Sequence, residues 1–178
     1  MQLFFSFFFL LGLVLVFMPF TPLFAYTLFP PDIGEQAADT LVRRDSAPTN
    51  EKSLSIPKIG VALPIFEGDE SALEKGAWRI PQTSDDPTRG NMVISAHRFR
   101  YRPPSTTTFY LLDKLTPGDD IVLAWNGQLY EYEVTGSSIV DNTAVEVLNA
   151  TADPTLTLLT CHPLFSTAQR LVVTAQPR

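Results

Sequence analysis

The sequence predicts a mainly β fold, a small single-domain barrel or sandwich with short helical turns, preceded by an amino-terminal membrane segment. Three observations predict it. About eight short apolar or alternating runs fall within residues 54–178, and most of the chain's 15 prolines lie between periodic segments rather than inside them. Asn126-Gly127 stands between two alternating runs, which is the preferred pair for a two-residue hairpin turn. Residues 3–25 carry no charged side chain, and a helix of that length would rise ~35 Å, enough to cross a bilayer.

That uncharged run is longer than the apolar core of a secretory signal, and the small-residue site near Ala25 is poor, so residues 1–28 are expected to be an uncleaved transmembrane anchor. Residues 29–53 change to Pro30-Pro31, scattered acids and the pair Arg43-Arg44, with too few large apolar residues for a core. A loosely ordered stalk is expected there. Residues 54–178 form the globular part.

Residues 54–59 alternate apolar with polar residues, and Pro57 marks an edge or a bulge. Residues 61–67 give a second strand. Ser71 is placed to cap one helical turn containing Leu73 and Glu74. Residues 76–90 hold Trp78, Pro81, Pro87 and Gly90 and read as a loop, and residues 92–96 as a buried strand that delivers His97 at its end. Residues 100–107 form another loop, and residues 110–115 a single turn. The hairpin follows, with arms 120–125 and 128–135; in the second arm Tyr130, Tyr132 and Val134 share one face and Glu131 and Glu133 the other. Residues 138–140 extend that arm, and Asp141-Asn142-Thr143 caps a short helix over 144–148. Residues 155–161 and 170–175 are the last two strands.

At 178 residues the chain suits one domain plus an appendage. Its 13 Lys and Arg against 19 Asp and Glu leave a formal charge of −6, and no basic cluster is present, which excludes nucleic acid as a partner. The single cysteine excludes an internal disulfide, and with two histidines the soft ligands are too few for an ordinary four-ligand zinc site. No metal or organic cofactor is expected.

A lone cysteine is more often a small buried apolar residue than a nucleophile. Cys161, however, closes an apolar β-branched run and is followed at once by turn residues and then by a strand opening with Arg170. Thiol-based acyl transfer needs a thiolate, a proton donor for the leaving amine and positive charge beside the developing oxyanion. Cys161, His97 and Arg170 can supply one each if their strand ends meet at one rim. His162 adjoins Cys161, but neighbouring strand residues point to opposite faces, so His97 is the better partner.

Thr157-Leu158-Leu159-Thr160-Cys161 fits the TLxTC signature of the sortases, the membrane-anchored cysteine transpeptidases of bacterial cell surfaces, and Arg170 falls where their essential arginine follows. Ser95-Ala96-His97-Arg98 resembles the segment around their histidine, residues 54–59 their first barrel strand, and Leu115-Thr116-Pro117-Gly118-Asp119 a further shared stretch. The resemblance implies a closed eight-stranded β-barrel. It also implies that Cys161, His97 and Arg170 are catalytic, with Thr160 in the substrate and oxyanion neighbourhood. The implied substrate is an LPxTG-like sorting signal at the carboxyl terminus of a secreted protein, cleaved after its threonine. The acceptor would be an amine of a cell-wall peptide or a pilin lysine, and the domain would lie outside the membrane.

The sequence departs from the pattern at Ala96, where many relatives carry glycine, and at His162 directly after the cysteine. No acid-aromatic lid motif of the pilin-polymerising members occurs in residues 29–53, and the segment between Cys161 and Arg170 looks unlike the calcium-activated class. Two rivals stand beside this reading. An L,D-transpeptidase would place serine, histidine and glycine just before its cysteine, where this chain has Leu158-Leu159-Thr160. A non-catalytic, membrane-tethered binding barrel would make the cysteine incidental.

Overall fold

The computed structural model describes residues 52–99 and 107–178. The expected anchor, most of the expected stalk and the expected 100–107 loop up to residue 106 lie outside the described residues. Among the described residues no helix is long and apolar enough to cross a membrane.

Eight strands close into one barrel in the order β1-β2-β3-β4-β7-β8-β6-β5. They are β1 Ser53–Ile56, β2 Val61–Phe66, β3 Ala77–Arg79, β4 Asn91–Ser95, β5 Asp120–Trp125, β6 Gln128–Asp141, β7 Thr155–His162 and β8 Gln169–Pro177. The β2–β3 and β4–β7 pairings are parallel and the rest antiparallel. Closure by β1 on β5 leaves no free sheet edge.

Period-two burial builds the core. Val61, Leu63 and Ile65 point inward while Ala62 and Pro64 point out, and Leu156 and Leu158 meet Ala175 and Val173 in the same way. Each fully buried Leu or Ile contributes about 1.5–3 kcal/mol from its apolar area. The largest buried rings also fasten the loop before β4: Trp125 Nε1 donates to Asp85 O at 2.9 Å, and Tyr132 Oη to Pro87 O at 2.9 Å. Burial pushes the Tyr132 phenol up to about 12.

The predicted hairpin forms, with Asn126 at φ 50° and Gly127 at φ 79°, the left-handed pair its tight turn requires. Its second arm runs on through a register shift between Val134 and Gly136.

Several local expectations are corrected. The first strand ends at Ile56, because Pro57 starts a 3-10 turn, Pro57–Ile59, that Gly60 closes at φ 69°. The turn Glu70–Glu74 is capped by Asp69, whose carboxylate accepts from Ser71 N at 3.0 Å, so Ser71 is the capped residue rather than the cap. Residues 77–79, expected in a loop, form β3. The chain approaches β2 so closely there that a Cβ on Gly76 would lie 2.8 Å from Pro64 O. The turn Val145–Leu148 is 3-10 and has no side-chain cap; Asp141 instead accepts from Thr143 N at 3.0 Å.

Candidate active site

Three strands, β4, β7 and β8, position the candidate residues. The parallel β4–β7 register sets Asn91 beside Thr155 and Ser95 beside Leu159, and Ala96 N still donates to Leu159 O at 3.2 Å. Carried two residues further, that offset brings His97 level with Cys161. Across the antiparallel β7–β8 pair, Cys161 stands opposite Arg170. Side chains directly opposed in a sheet share a face, with Cβ atoms roughly 4.5–5.5 Å apart in an antiparallel pair.

The inner face of these strands is Met92, Ile94 and Ala96, then Leu156, Leu158 and Thr160, then Leu171, Val173 and Ala175, all buried. His97, Cys161 and Arg170 have the opposite parity. By that continuation they fall in one row on the outer face at the rim, and all three are half-buried. Cys161 and Arg170 are thus paired across β7 and β8, and the continued β4 register sets His97 at the same end.

His97 is held by its main chain, whose carbonyl accepts from the N–H of the fully buried Phe109 at 2.9 Å. Its Nε2 lies 3.9 Å from Glu74 Oε1. A pocket of about 270 Å³, lined by Leu73, Glu74, Lys75, Gly76, His97 and Thr107, opens on that side. Arg170 Nη1 donates to Thr167 O at 2.9 Å and Gln169 O at 3.0 Å, which holds the guanidinium over the loop between β7 and β8. In that loop Phe165 is exposed at φ 65°, and its ring centroid lies 5.7 Å from that of Phe99, in the segment after His97.

The threonines of the Thr157–Cys161 stretch brace β7. Thr157 Oγ1 donates to Asn91 Oδ1 at 2.7 Å, and Asn91 Nδ2 donates to Val147 O and Asn149 O, each at 3.0 Å. Thr160 Oγ1 donates to Ala96 O at 2.8 Å from the inner face. The Thr160 side chain therefore serves the β4–β7 pairing.

His162 turns inward, as its neighbourhood to Cys161 in an extended strand requires. Its Nδ1 lies 3.0 Å from Arg98 Nη1. Arg98 also reaches the Cys161 carbonyl at 3.2 Å and pairs with Asp113 Oδ1 at 2.8 Å, and the sequence pattern had marked it only as a cation behind His97. Nothing in the spacing of residues 98, 113 and 162 announces that they meet, because the meeting depends on the parallel register.

A half-buried thiol opposite an arginine, with a histidine at the end of the neighbouring strand, is a set of groups able to form and resolve an acyl thioester. The comparisons with known proteins agree in kind. The family model described as Sortase, the sortase domain, matches residues 54–178. Sortase A of Listeria monocytogenes is 29% identical over 124 residues, covering 70% of this chain and 54% of that protein. Sortase D of Bacillus subtilis is 32% identical over 112 residues, covering 62% and 53%. The chain thus spans about half the length of these curated relatives. Among solved structures, the Listeria sortase A superposes with a TM-score of 0.64 at 29% identity, covering 71% of this chain and 86% of that one. Sortase C-1 of Actinomyces oris gives 0.66 at 28% identity, covering 82% of each chain. A structure of Streptococcus pneumoniae sortase C, whose description concerns pilin substrate specificity, gives 0.63 at 30% identity, covering 71% of this chain and 65% of that one.

Proposed function

Because the chain belongs to the sortase family, we propose that it is a cysteine transpeptidase that cleaves an LPxTG-like sorting signal after threonine and passes the acyl group to an amine. The observation that carries this is the pairing of Cys161 with Arg170 across β7–β8, with His97 two residues past the end of the neighbouring parallel strand β4. The L,D-transpeptidase and the non-catalytic barrel are not favoured by a sortase-domain match over the whole of 54–178.

In the first half-reaction the Cys161 Sγ bonds to the threonine carbonyl carbon and the negative charge moves onto its oxygen, beside Arg170. Collapse breaks the bond to the following glycine, whose nitrogen leaves with a proton from His97. In the second half an acceptor amine bonds to the thioester carbon, gives its excess proton to His97, and the C–S bond breaks to restore the thiolate. Positive charge set in advance where the oxyanion develops is worth most in a site shielded from water, and in this reading the half-buried Arg170 supplies it.

The secreted sorting-signal proteins are the first substrates in this reading. The acceptor is the amine of a cell-wall peptide or of a pilin lysine, so the outcome is surface anchoring or subunit linkage. Residues 1–28 would tether the domain as a single-pass anchor with 54–178 outside the membrane, and the uncharged run 3–25 supports that placement.

Incubating the full chain in detergent with a panel of LPxTG-type peptides and triglycine tests the proposal by product mass. The expected product is the peptide truncated after threonine and extended by triglycine. Intact peptides throughout, with the barrel folded, would overturn it.

A further inference from the structure

The last row of the β4–β7 ladder is carried by side chains. Continued past Ser95 and Leu159, the offset that brings His97 level with Cys161 brings Arg98 level with His162 on the inner face, and the Arg98–His162 contact agrees with it. There the guanidinium does what the main chain no longer does. Nη1 donates to the Cys161 carbonyl at 3.2 Å and to His162 Nδ1 at 3.0 Å, Nη2 pairs with Asp113 Oδ1 at 2.8 Å, and Nε makes a long contact of 3.5 Å with Tyr110 O. Arg98 is only 3% exposed, so this is a buried cation with its acceptors assembled around it. A guanidinium can only donate, so the His162 nitrogen that meets it is the unprotonated one.

We infer that Arg98 is a positioning residue for the catalytic pair. Its side chain ties the main chain of the nucleophile to the end of the strand that carries the histidine, and Asp113 holds it in place. The inference rests on the transpeptidase reading above. An apolar side chain could fill the same volume, but it would leave the Cys161 carbonyl without this donor and the Asp113 carboxylate with the more exposed Lys114 in place of the buried guanidinium. A fork with fixed donor directions sets the distance between two strand ends in a way that a flexible ammonium cannot.

Displacement of reacting groups by about 1 Å costs roughly 10²-fold in rate, so the expected effect is on turnover rather than on binding. The test compares the full chain with Arg98→Met, Arg98→Lys and Asp113→Asn. It measures kcat per titratable Cys161 thiol, the peptide KM, the melting temperature and the rate of Cys161 alkylation by iodoacetamide at neutral pH. Arg98→Met is expected to lower kcat per thiol about 10²-fold with little change in KM, and to slow alkylation. Arg98→Lys is expected to recover part of the loss, because an ammonium reaches one of the acceptors.

A melting temperature that falls while kcat per thiol, measured well below it, stays at the parent value would overturn the inference. If Arg98→Met does not fold, Asp113→Asn decides: its side chain is 33% exposed, and removing its charge should cost kcat several-fold. An unchanged kcat there would also overturn it. Should the parent itself form no acyl product, the transpeptidase reading fails, and the alkylation rate still decides whether Arg98 positions Cys161: slower in Arg98→Met supports the inference, equal overturns it.

Discussion

Cys161 of β7 stands opposite Arg170 of β8 in the penultimate pair of their antiparallel ladder, so thiol and guanidinium share the outer face at the rim. Among the described residues the Arg170 side chain bonds to the carbonyls of Thr167 and Gln169 and to no buried group, so its removal should be separable from the fold. Arg170→Ala is expected to lower kcat/KM by about 10²–10³-fold, the usual loss for one oxyanion donor. The melting temperature should stay within about 2 °C of the parent, as for other surface substitutions. Peptide turnover followed beside a thermal melt checks both halves, and an equal kcat/KM would remove Arg170 from the mechanism.

The two histidines should separate cleanly. His97→Ala is expected to lose about 10²–10⁴-fold in turnover, as removal of a general acid does. His162→Ala removes an acceptor of Arg98 and should cost less than that, with both limbs of the pH–rate profile kept in place. A profile that loses a limb in His162→Ala would reverse the assignment.

Buried polar pairing at the far end of the β4–β7 ladder should appear in stability. Thr157→Val takes the donor from Asn91 Oδ1 in a buried site, and about 1–3 kcal/mol of unfolding free energy should be lost. Urea denaturation measures this. A loss below the fitting error would mean that the Asn91 carbonyl finds another donor.

Alkaline stability should depend on Tyr132. Its folded-state pKa is pushed up to about 12 by burial, above an unfolded value near ~10. The neutral phenol therefore contributes stability that is complete below pH ~10 and is lost as pH rises through about 12. Tyr132→Phe should be less stable at pH 7, because Pro87 O loses its donor, yet should fall less steeply above pH 10. Parallel slopes for the two proteins would contradict the burial account.

What was legible in the sequence and what was not divides along one physical line. The hairpin was readable because Asn126-Gly127 carries its geometry locally, and β4, β7 and β8 because five or more apolar or alternating residues declare a strand. The opposite parity of Cys161 and His162 followed from the strand period alone. β3 was not readable, since three residues give no period and its pairing is decided by how closely Gly76 approaches Pro64. The inner position of the Thr160 side chain, and the meeting of Arg98 with His162 and Asp113, depend on a parallel register between strands about sixty residues apart. Local pattern does not encode register. The strands that carry Cys161 and Arg170 are therefore legible in the sequence, and the Arg98 cluster beneath them is not.

The central claim is that Cys161 is an acylating nucleophile, and intact-mass analysis of the full chain after brief mixing with an LPxTG-type peptide tests it most directly. The account predicts a mass gain equal to the peptide truncated after threonine, located on Cys161, removed by hydroxylamine and absent from Cys161→Ala. A folded protein that gains no mass across the peptide panel, or gains the same mass in Cys161→Ala, would contradict it.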